Sequence, residues 1–208
     1  MSTKQALLLL IICVLGVGTA MAYDLTDLPL VPGIIGITPA DSGSCVGVYV
    51  PMEEGHALSG ILWYNNDGLV IFPEVLVASG VDGSPEPVSG AFTVATDVQG
   101  ESSAWCELTF SEPIAAANDG FYVVIRLPEG SEHVGYGEGG GAGLGYTEGA
   151  NGFTGWLSLD GEQWLKLHDD FGMALVPMTV AAEDGMTEKD LGDETPVTHT
   201  EFFLPSPN

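Results

Sequence analysis

The stretch Gly120-Phe-Tyr-Val-Val-Ile-Arg-Leu127 decides the fold class of this chain. Its β-branched and aromatic residues favour a strand over a helix. Successive side chains of a strand point to opposite faces, so apolar residues at alternate positions share one face. The residues predicted to point together into a core are Phe121, Val123, Ile125 and Leu127. The stretch therefore predicts a β-strand with a buried face.

Similar short runs, bounded by Gly, Pro, Asn and Asp, repeat along the chain. They lie at 33–38, 44–50, 57–64, 69–78, 90–98, 103–110, 120–127, 152–159, 162–167 and 171–180. About ten short strands without crossover helices predict an all-β fold, an antiparallel, jelly-roll-like β-sandwich, with a closed barrel as the alternative. Pro73 and Pro177 predict edge strands or bulges where they interrupt their runs. The glycine-rich segment from Gly135 to Gly152 is predicted to be a long loop or a set of glycine-rich turns.

The segment 155–166 predicts a β-hairpin whose two-residue turn is Asp160-Gly161, because Asp-Gly tolerates positive φ angles. This register pairs Leu157 with Trp164, and it places Trp156 and Trp164 on opposite faces because side chains alternate. Trp164 is then expected in the core and Trp156 on the surface.

The charge balance excludes several classes of partner. The chain carries 4 Lys and Arg against 29 Asp and Glu, a net charge of -25. Nucleic-acid phosphates are held by lysine and arginine, so no nucleic-acid partner is expected. The same deficit argues against docking on an anionic membrane surface. An apolar share of 45% is ample for a packed core, and the acidity fits solubility or high salt.

The first residues have the pattern of a secretory signal peptide. Lys4 precedes the apolar run 6–18, and Ala20-Met21-Ala22 fits a small-x-small cleavage site. The run is shorter than the roughly 20 apolar residues of a membrane-spanning helix, so no membrane insertion is expected after cleavage. We expect a secreted protein, extracellular or at the cell surface. Its expected domains are a signal peptide at 1–22, a β-sandwich at 23–181 and an acidic linker or tail at 182–208.

Export would expose the cysteines to an oxidising compartment. Cys45 and Cys106 remain after cleavage, each in a strand-like run, and are predicted to form a disulfide. Two buried free thiols or a metal pair are the alternatives. Two cysteines without matching histidines make a poor zinc site.

Two kinds of binding site are expected from residue type. Aromatic rings can stack on sugar faces while carboxylates or amides bind the hydroxyls, and core packing is the alternative for each ring. Calcium needs six to eight oxygen ligands, and two short loops offer several, with turn formation as the alternative. The predicted ligand-binding residues are Trp156, Trp63 and Tyr136, and the predicted calcium ligands are Asn65, Asp67, Asp169 and Asp170. The expected partners are polysaccharide or cell-envelope components.

No catalytic motif with the right context occurs. Gly135-Tyr-Gly-Glu-Gly-Gly140 matches the spacing of a dinucleotide loop, but more glycines follow it where a helix is required. A carboxylate pair such as Asp160 and Glu162 could hydrolyse glycosides only at a fixed separation and with one raised pKa. We expect a non-catalytic binding or structural module. The alternatives are a carbohydrate-binding module and a secreted glycoside hydrolase.

The order of segments adds a resemblance. The signal peptide, the jelly-roll-like body and the acidic linker are followed by Phe203-Leu-Pro-Ser-Pro-Asn208. This arrangement resembles exported bacterial proteins that carry a C-terminal type IX sorting or FlgD-like immunoglobulin module. Pro205, Pro207 and Asn208 match the opening of that module's proline-asparagine phrase, so we expect the tail to lead toward such a module. The resemblance implies a non-catalytic envelope or extracellular passenger.

Overall fold

The computed structural model describes residues 28–37, 40–65, 67–80, 83, 91–115, 119–130, 142–148 and 152–182. The predicted signal peptide, the chain from 183 onward and Tyr136 lie outside these residues. All regular structure in the described part is β, and that part holds no helix able to cross a membrane. The strands are β1 Gly33–Ile35, β2 Cys45–Pro51, β3 His56–Asn65, β4 Ile71–Gly80, β5 Phe92–Gln99, β6 Ala104–Ala115, β7 Gly120–Arg126, β8 Leu144–Glu148, β9 Gly155–Ser158, β10 Trp164–Lys166, β11 Phe171–Met173 and β12 Leu175–Ala181.

The strands form three open antiparallel sheets. The large sheet has the order β10-β9-β2-β7-β4-β5, the facing sheet β12-β3-β6 and the third sheet β1-β8-β11. Side chains of the large and facing sheets share one hydrophobic cluster, here called the main core. The predicted all-β, antiparallel sandwich is confirmed, with twelve strands among the described residues where about ten were expected.

The stretch that decides the fold is a central strand of the large sheet. β7 pairs with β2 on one side and with β4 on the other, and Val123 lies opposite both Val48 and Val77. Every second side chain of β7 enters the main core, which also contains Trp63 and Ile61 from the facing sheet. The predicted alternation is therefore confirmed.

The third sheet contains a strand that the sequence did not predict. β8 lies inside the glycine-rich segment expected to be a loop, and it pairs with both β1 and β11. A Cβ atom on Gly145 would lie 2.7 Å from Tyr64 Cβ, so the strand passes too close to β3 for a side chain. Glycine here permits close packing rather than a turn, which corrects the loop prediction for residues 144–148.

Both interrupting prolines lie where a strand has one partner. Pro177 lies in β12, which is an edge strand of the facing sheet, as predicted. Pro73 lies in β4 before Val75, the first β4 residue that pairs with β7, so β5 is its partner strand there. The predicted run 171–180 is divided at Ala174 into β11 and β12.

Candidate functional site

The β9–β10 hairpin differs by one residue from its predicted register. Trp164 lies opposite Ser158, and Leu165 lies opposite Leu157. The connection is the five-residue segment 159–163 and not the predicted two-residue turn. A shift of one residue moves every side chain of a strand to the other face, so Trp156 and Trp164 lie on the same face. The prediction that they lie on opposite faces is wrong.

The side chains of the connection explain the longer turn. Asp160 Oδ1 accepts hydrogen bonds from the backbone amides of Glu162 and Gln163, both at 2.8 Å. Ser158 Oγ accepts one from the Gly161 amide at 2.8 Å, and Gly161 has the predicted positive φ, 78°. The amides of Gln163 and Glu162 lower the pKa of the Asp160 carboxyl, so this position carries a fixed negative charge at neutral pH.

The tryptophans of the hairpin lie on the face of the large sheet that points away from the main core, here called the outer face. Its buried cluster consists of Cys45, Tyr49, Leu76, Ala78, Tyr122, Val124 and Trp156, with Ala91 and Trp164 packed against it. The rings of Tyr49 and Tyr122 are 5.2 Å apart and tilted by 53°. Trp156 is only 8% exposed, so its predicted surface position is wrong. Trp164 is partly exposed and packs on the outer face, which corrects its predicted place in the main core.

The two lysine and arginine residues of the described part both belong to the outer face. Arg126 Nη2 lies 3.7 Å from Glu74 Oε2, and both side chains are mostly buried. Thr93 Oγ1 donates a hydrogen bond to Glu74. Lys166 Nζ pairs with Asp169 Oδ1 at 2.9 Å in a more exposed position. The rare positive charges are therefore used in ion pairs on this side of the large sheet.

The hairpin also borders an apolar groove. Its volume is about 460 Å³, and we call it the leucine groove. Its lining residues are Ile37, Leu157, Ser158, Leu159, Asp160, Gln163, Trp164 and Leu165. Leu159 and Leu165 are 63% and 69% exposed, whereas Leu157 packs against the main core. The exposure follows from topology, because β10 is an edge strand of the large sheet.

A second groove, of about 640 Å³, runs beside the edge strand β12. It is lined by Pro29, Leu30, Pro32, Thr147, Glu148, Phe153, Leu175, Val176 and Pro177. It contains one acidic side chain, Glu148, and no residue of the predicted sites. Its size alone therefore does not make it a functional site.

The predicted sugar-binding residues do not form one surface. Trp63 is 0% exposed in the main core, and its ring meets Phe72 edge-on at 6.0 Å. Trp156 is buried on the outer face, and Tyr136 lies outside the described residues. Trp63 and Trp156 are therefore corrected to packing residues. The groove tryptophan is Trp164, which the sequence prediction had assigned to the core.

The residues predicted to bind calcium have structural partners. Buried Asn65 donates from Nδ2 to Gly143 O and accepts at Oδ1 from the Asp67 amide, both at 3.0 Å. Asp67 Oδ1 accepts from the Leu69 amide at 2.9 Å. These bonds form consecutive side-chain turns, which is the turn alternative stated above.

The second predicted calcium loop is also built from local pairs. Asp169 binds Lys166, and this hydrogen bond and charge lower the pKa of the Asp169 carboxyl. Asp170 Oδ2 lies 3.1 Å from His168 Nδ1. Within the described ranges, no three His, Cys, Asp or Glu side chains surround a common point.

The predicted disulfide is wrong, because Cys45 and Cys106 are both buried free thiols. Cys45 belongs to the outer face of the large sheet, whereas Cys106 faces the main core from β6. Their side chains therefore lie in different layers. Burial raises the pKa of Cys45 to about 12 and that of Cys106 to about 11. Cys106 Sγ donates to Gln99 O at 3.3 Å.

The fold and this surface define an all-β, antiparallel sandwich with an apolar groove at one hairpin. Comparison of the chain with protein-family models, with curated proteins and with solved structures finds no match.

Proposed function

We propose that this chain is a secreted, non-catalytic binding or structural module of the bacterial cell surface or extracellular space, and that its binding surface is the leucine groove. The observation that carries the proposal is the pair Leu159 and Leu165, which remain 63% and 69% exposed beside a concave space of about 460 Å³. Apolar side chains grouped around a groove of this size are typical of binding sites.

The acidic groups of the hairpin support a binding role over a hydrolytic one. A general acid for glycoside hydrolysis needs a raised pKa. Asp160 and Asp169, the two carboxyls of this region with a shifted pKa, are both shifted downward, Asp160 by backbone amides and Asp169 by Lys166. Each carboxylate is already engaged, Asp160 with its own turn and Asp169 with an ion pair.

Binding at the groove can be tested with the neutral apolar dye Nile red. Its fluorescence should rise on addition of the full chain, and the rise should disappear in the Leu159→Ser/Leu165→Ser double variant. Leu69→Ser is the matched control, because Leu69 is 92% exposed but does not line the groove. An equal signal from all three proteins would overturn the proposed site.

The proposed export and lack of catalysis have separate tests. Expression of the full chain in a bacterium should release a protein whose first residue is Tyr23, as read by mass spectrometry. Incubation of that protein with a polysaccharide panel should release no reducing ends. Retention in the cytosol with Met1 intact would contradict export, and sugar release lost in acidic-residue variants would contradict the non-catalytic role.

One observation favours carbohydrate as a second candidate ligand. Trp164, Asp160 and Gln163 all line the groove, and an aromatic residue, a carboxylate and an amide together can bind a sugar. Trp164→Ala should then abolish retention on a polysaccharide column, while Leu159→Ser should preserve it. The reverse pattern would support the apolar groove.

A further inference from the structure

We infer that the leucine groove takes an apolar segment of a partner protein that carries lysine or arginine beside its apolar side chains. This inference rests on the proposed binding function of the groove and adds the chemistry of the partner. Three features of the groove support it: its apolar lining, its fixed hairpin and the negative charge around it.

The apolar surface determines what enters the groove. Ile37 is buried and Leu157 partly buried, so they form the covered part of the lining. Leu159 and Leu165 extend the same surface into solvent. A partner side chain that covers them removes apolar area from water on both molecules, which is the main driving force of association. Leucine, isoleucine or phenylalanine side chains suit such a lining.

The hairpin is held in place before any partner arrives. Ser44 Oγ donates to Leu159 O at 3.3 Å and accepts from the Asp41 amide at 2.9 Å. The neighbouring turn packs closely, because a Cβ atom on Gly43 would lie 2.9 Å from backbone atoms of Asp160. A groove fixed in this way loses little conformational entropy on binding.

The charge around the groove selects the partner. Asp160 lies in the lining, exposed Glu162 follows it, and exposed Asp41 belongs to the turn that packs against the hairpin. Lys166, the cation of this hairpin, is paired with Asp169 at 2.9 Å. Positive side chains that flank the apolar segment would meet these carboxylates, and complementary charge of this kind gives specificity and faster association.

The same charges disfavour other occupants. A second copy of the chain would bring the carboxylates around each groove close to another molecule of net charge -25. Like charges brought together at an interface oppose association. An anionic bilayer would be repelled for the same reason. Charge complementarity therefore favours a basic partner over a second copy or a membrane.

The test uses the full chain and a phage-displayed library of random dodecapeptides. We expect the enriched peptides to combine Leu, Ile or Phe with neighbouring Lys or Arg. A synthetic peptide of the consensus sequence should bind the unmodified chain and Leu69→Ser equally. It should bind Leu159→Ser/Leu165→Ser at least about tenfold more weakly, since two exposed anchors are lost. Affinity should fall as salt is raised, and should fall less steeply in the Asp41→Asn/Glu162→Gln variant.

The outcomes separate this inference from the proposed function. If the enriched peptides lose binding in Leu159→Ser/Leu165→Ser but contain no Lys or Arg, the inferred basic character of the partner is wrong. The leucine groove then remains the proposed binding site. If no enriched peptide depends on Leu159 and Leu165, the inference is overturned. If, in addition, Nile red fluorescence is the same with the unmodified chain and with Leu159→Ser/Leu165→Ser, the proposed binding site is overturned as well. Sedimentation that shows a dimer abolished by Leu165→Ser would assign the groove to a second copy instead. Circular dichroism of each variant checks that the fold is retained.

Discussion

Asp160 Oδ1 lies 2.8 Å from the backbone nitrogen of Gln163, and this bond fixes the conformation of the β9–β10 connection. The connection in turn determines which side chains of β10 face the groove and which face outward. The Asp160 carboxylate and the Ser158 hydroxyl together hold the connection that leads into Trp164 and Leu165.

Replacement of Asp160 should destabilise the protein in a pH-dependent way. Asp160→Ala should lower the free energy of unfolding by about 1 kcal/mol at neutral pH, as for a lost side-chain cap at a solvated position. The pKa of the carboxyl is lowered in the folded state, so its contribution is present above the unfolded pKa, roughly 4, and is lost as pH falls through the folded pKa. Urea unfolding at pH 7 and pH 3 measures this. Glu162→Ala is the control, and an equal loss at both pH values would contradict the prediction.

Cys45 and Cys106 should behave as unreactive thiols. An ionised thiolate is the reactive form, and burial raises the pKa of Cys45 to about 12 and of Cys106 to about 11. At pH 8, Ellman's reagent should not label either thiol in the folded protein but should label both in guanidinium. Stability should also fall as pH rises above the ordinary thiol value of 9.0, because the unfolded chain then releases protons that the folded chain retains. A reductant-sensitive melting temperature would contradict free thiols.

Trp63 should matter for stability and not for binding. Trp63→Ala removes a fully buried ring and should lower the free energy of unfolding by about 3–5 kcal/mol. Trp164→Ala, in a partly exposed position, should have a smaller effect. Urea unfolding compares the two variants. A smaller loss for Trp63→Ala than for Trp164→Ala would reverse the assignment of core and surface.

Asn65 should act as a turn residue. Asn65→Ala leaves the Gly143 carbonyl and the Asp67 amide without this side-chain partner and should destabilise by about 1–3 kcal/mol. Because these oxygens already serve the turn, calcium or a chelator should leave the melting temperature of the unmodified chain unchanged. An ion bound only by the folded state would raise it.

The alternation of apolar residues along single strands was enough to predict the sandwich. The leucine groove, in contrast, depends on contacts between segments that are distant in sequence. The period of β7 is visible in Phe121 and Val123, but the register of the hairpin was determined by the side chains of Asp160 and Ser158. Sequence spacing alone favoured the shorter turn. The strand β8 was missed because Gly145 is required by its closeness to Tyr64.

The exposure of the groove leucines also could not be predicted from the local sequence. Leu157 and Leu165 are alike in sequence, and only the position of β10 at a sheet edge leaves one of them uncovered. The cysteines were correctly placed in strands, but the face that each one occupies depends on which sheet contains its strand. Strand order is a property of the whole chain.

The ion-paired cations of the outer face have a consequence for proteolysis. Trypsin cuts after lysine and arginine, and within the described residues these are Arg126 in β7 and Lys166 in β10. Arg126 ends β7, a central strand of the large sheet, and pairs with Cys45 of β2, so cleavage there requires disruption of the sheet. Lys166 lies in a short edge strand that can open locally. The two tryptic fragments would therefore report different events: release at Lys166 follows fraying of the hairpin, and release at Arg126 follows global unfolding.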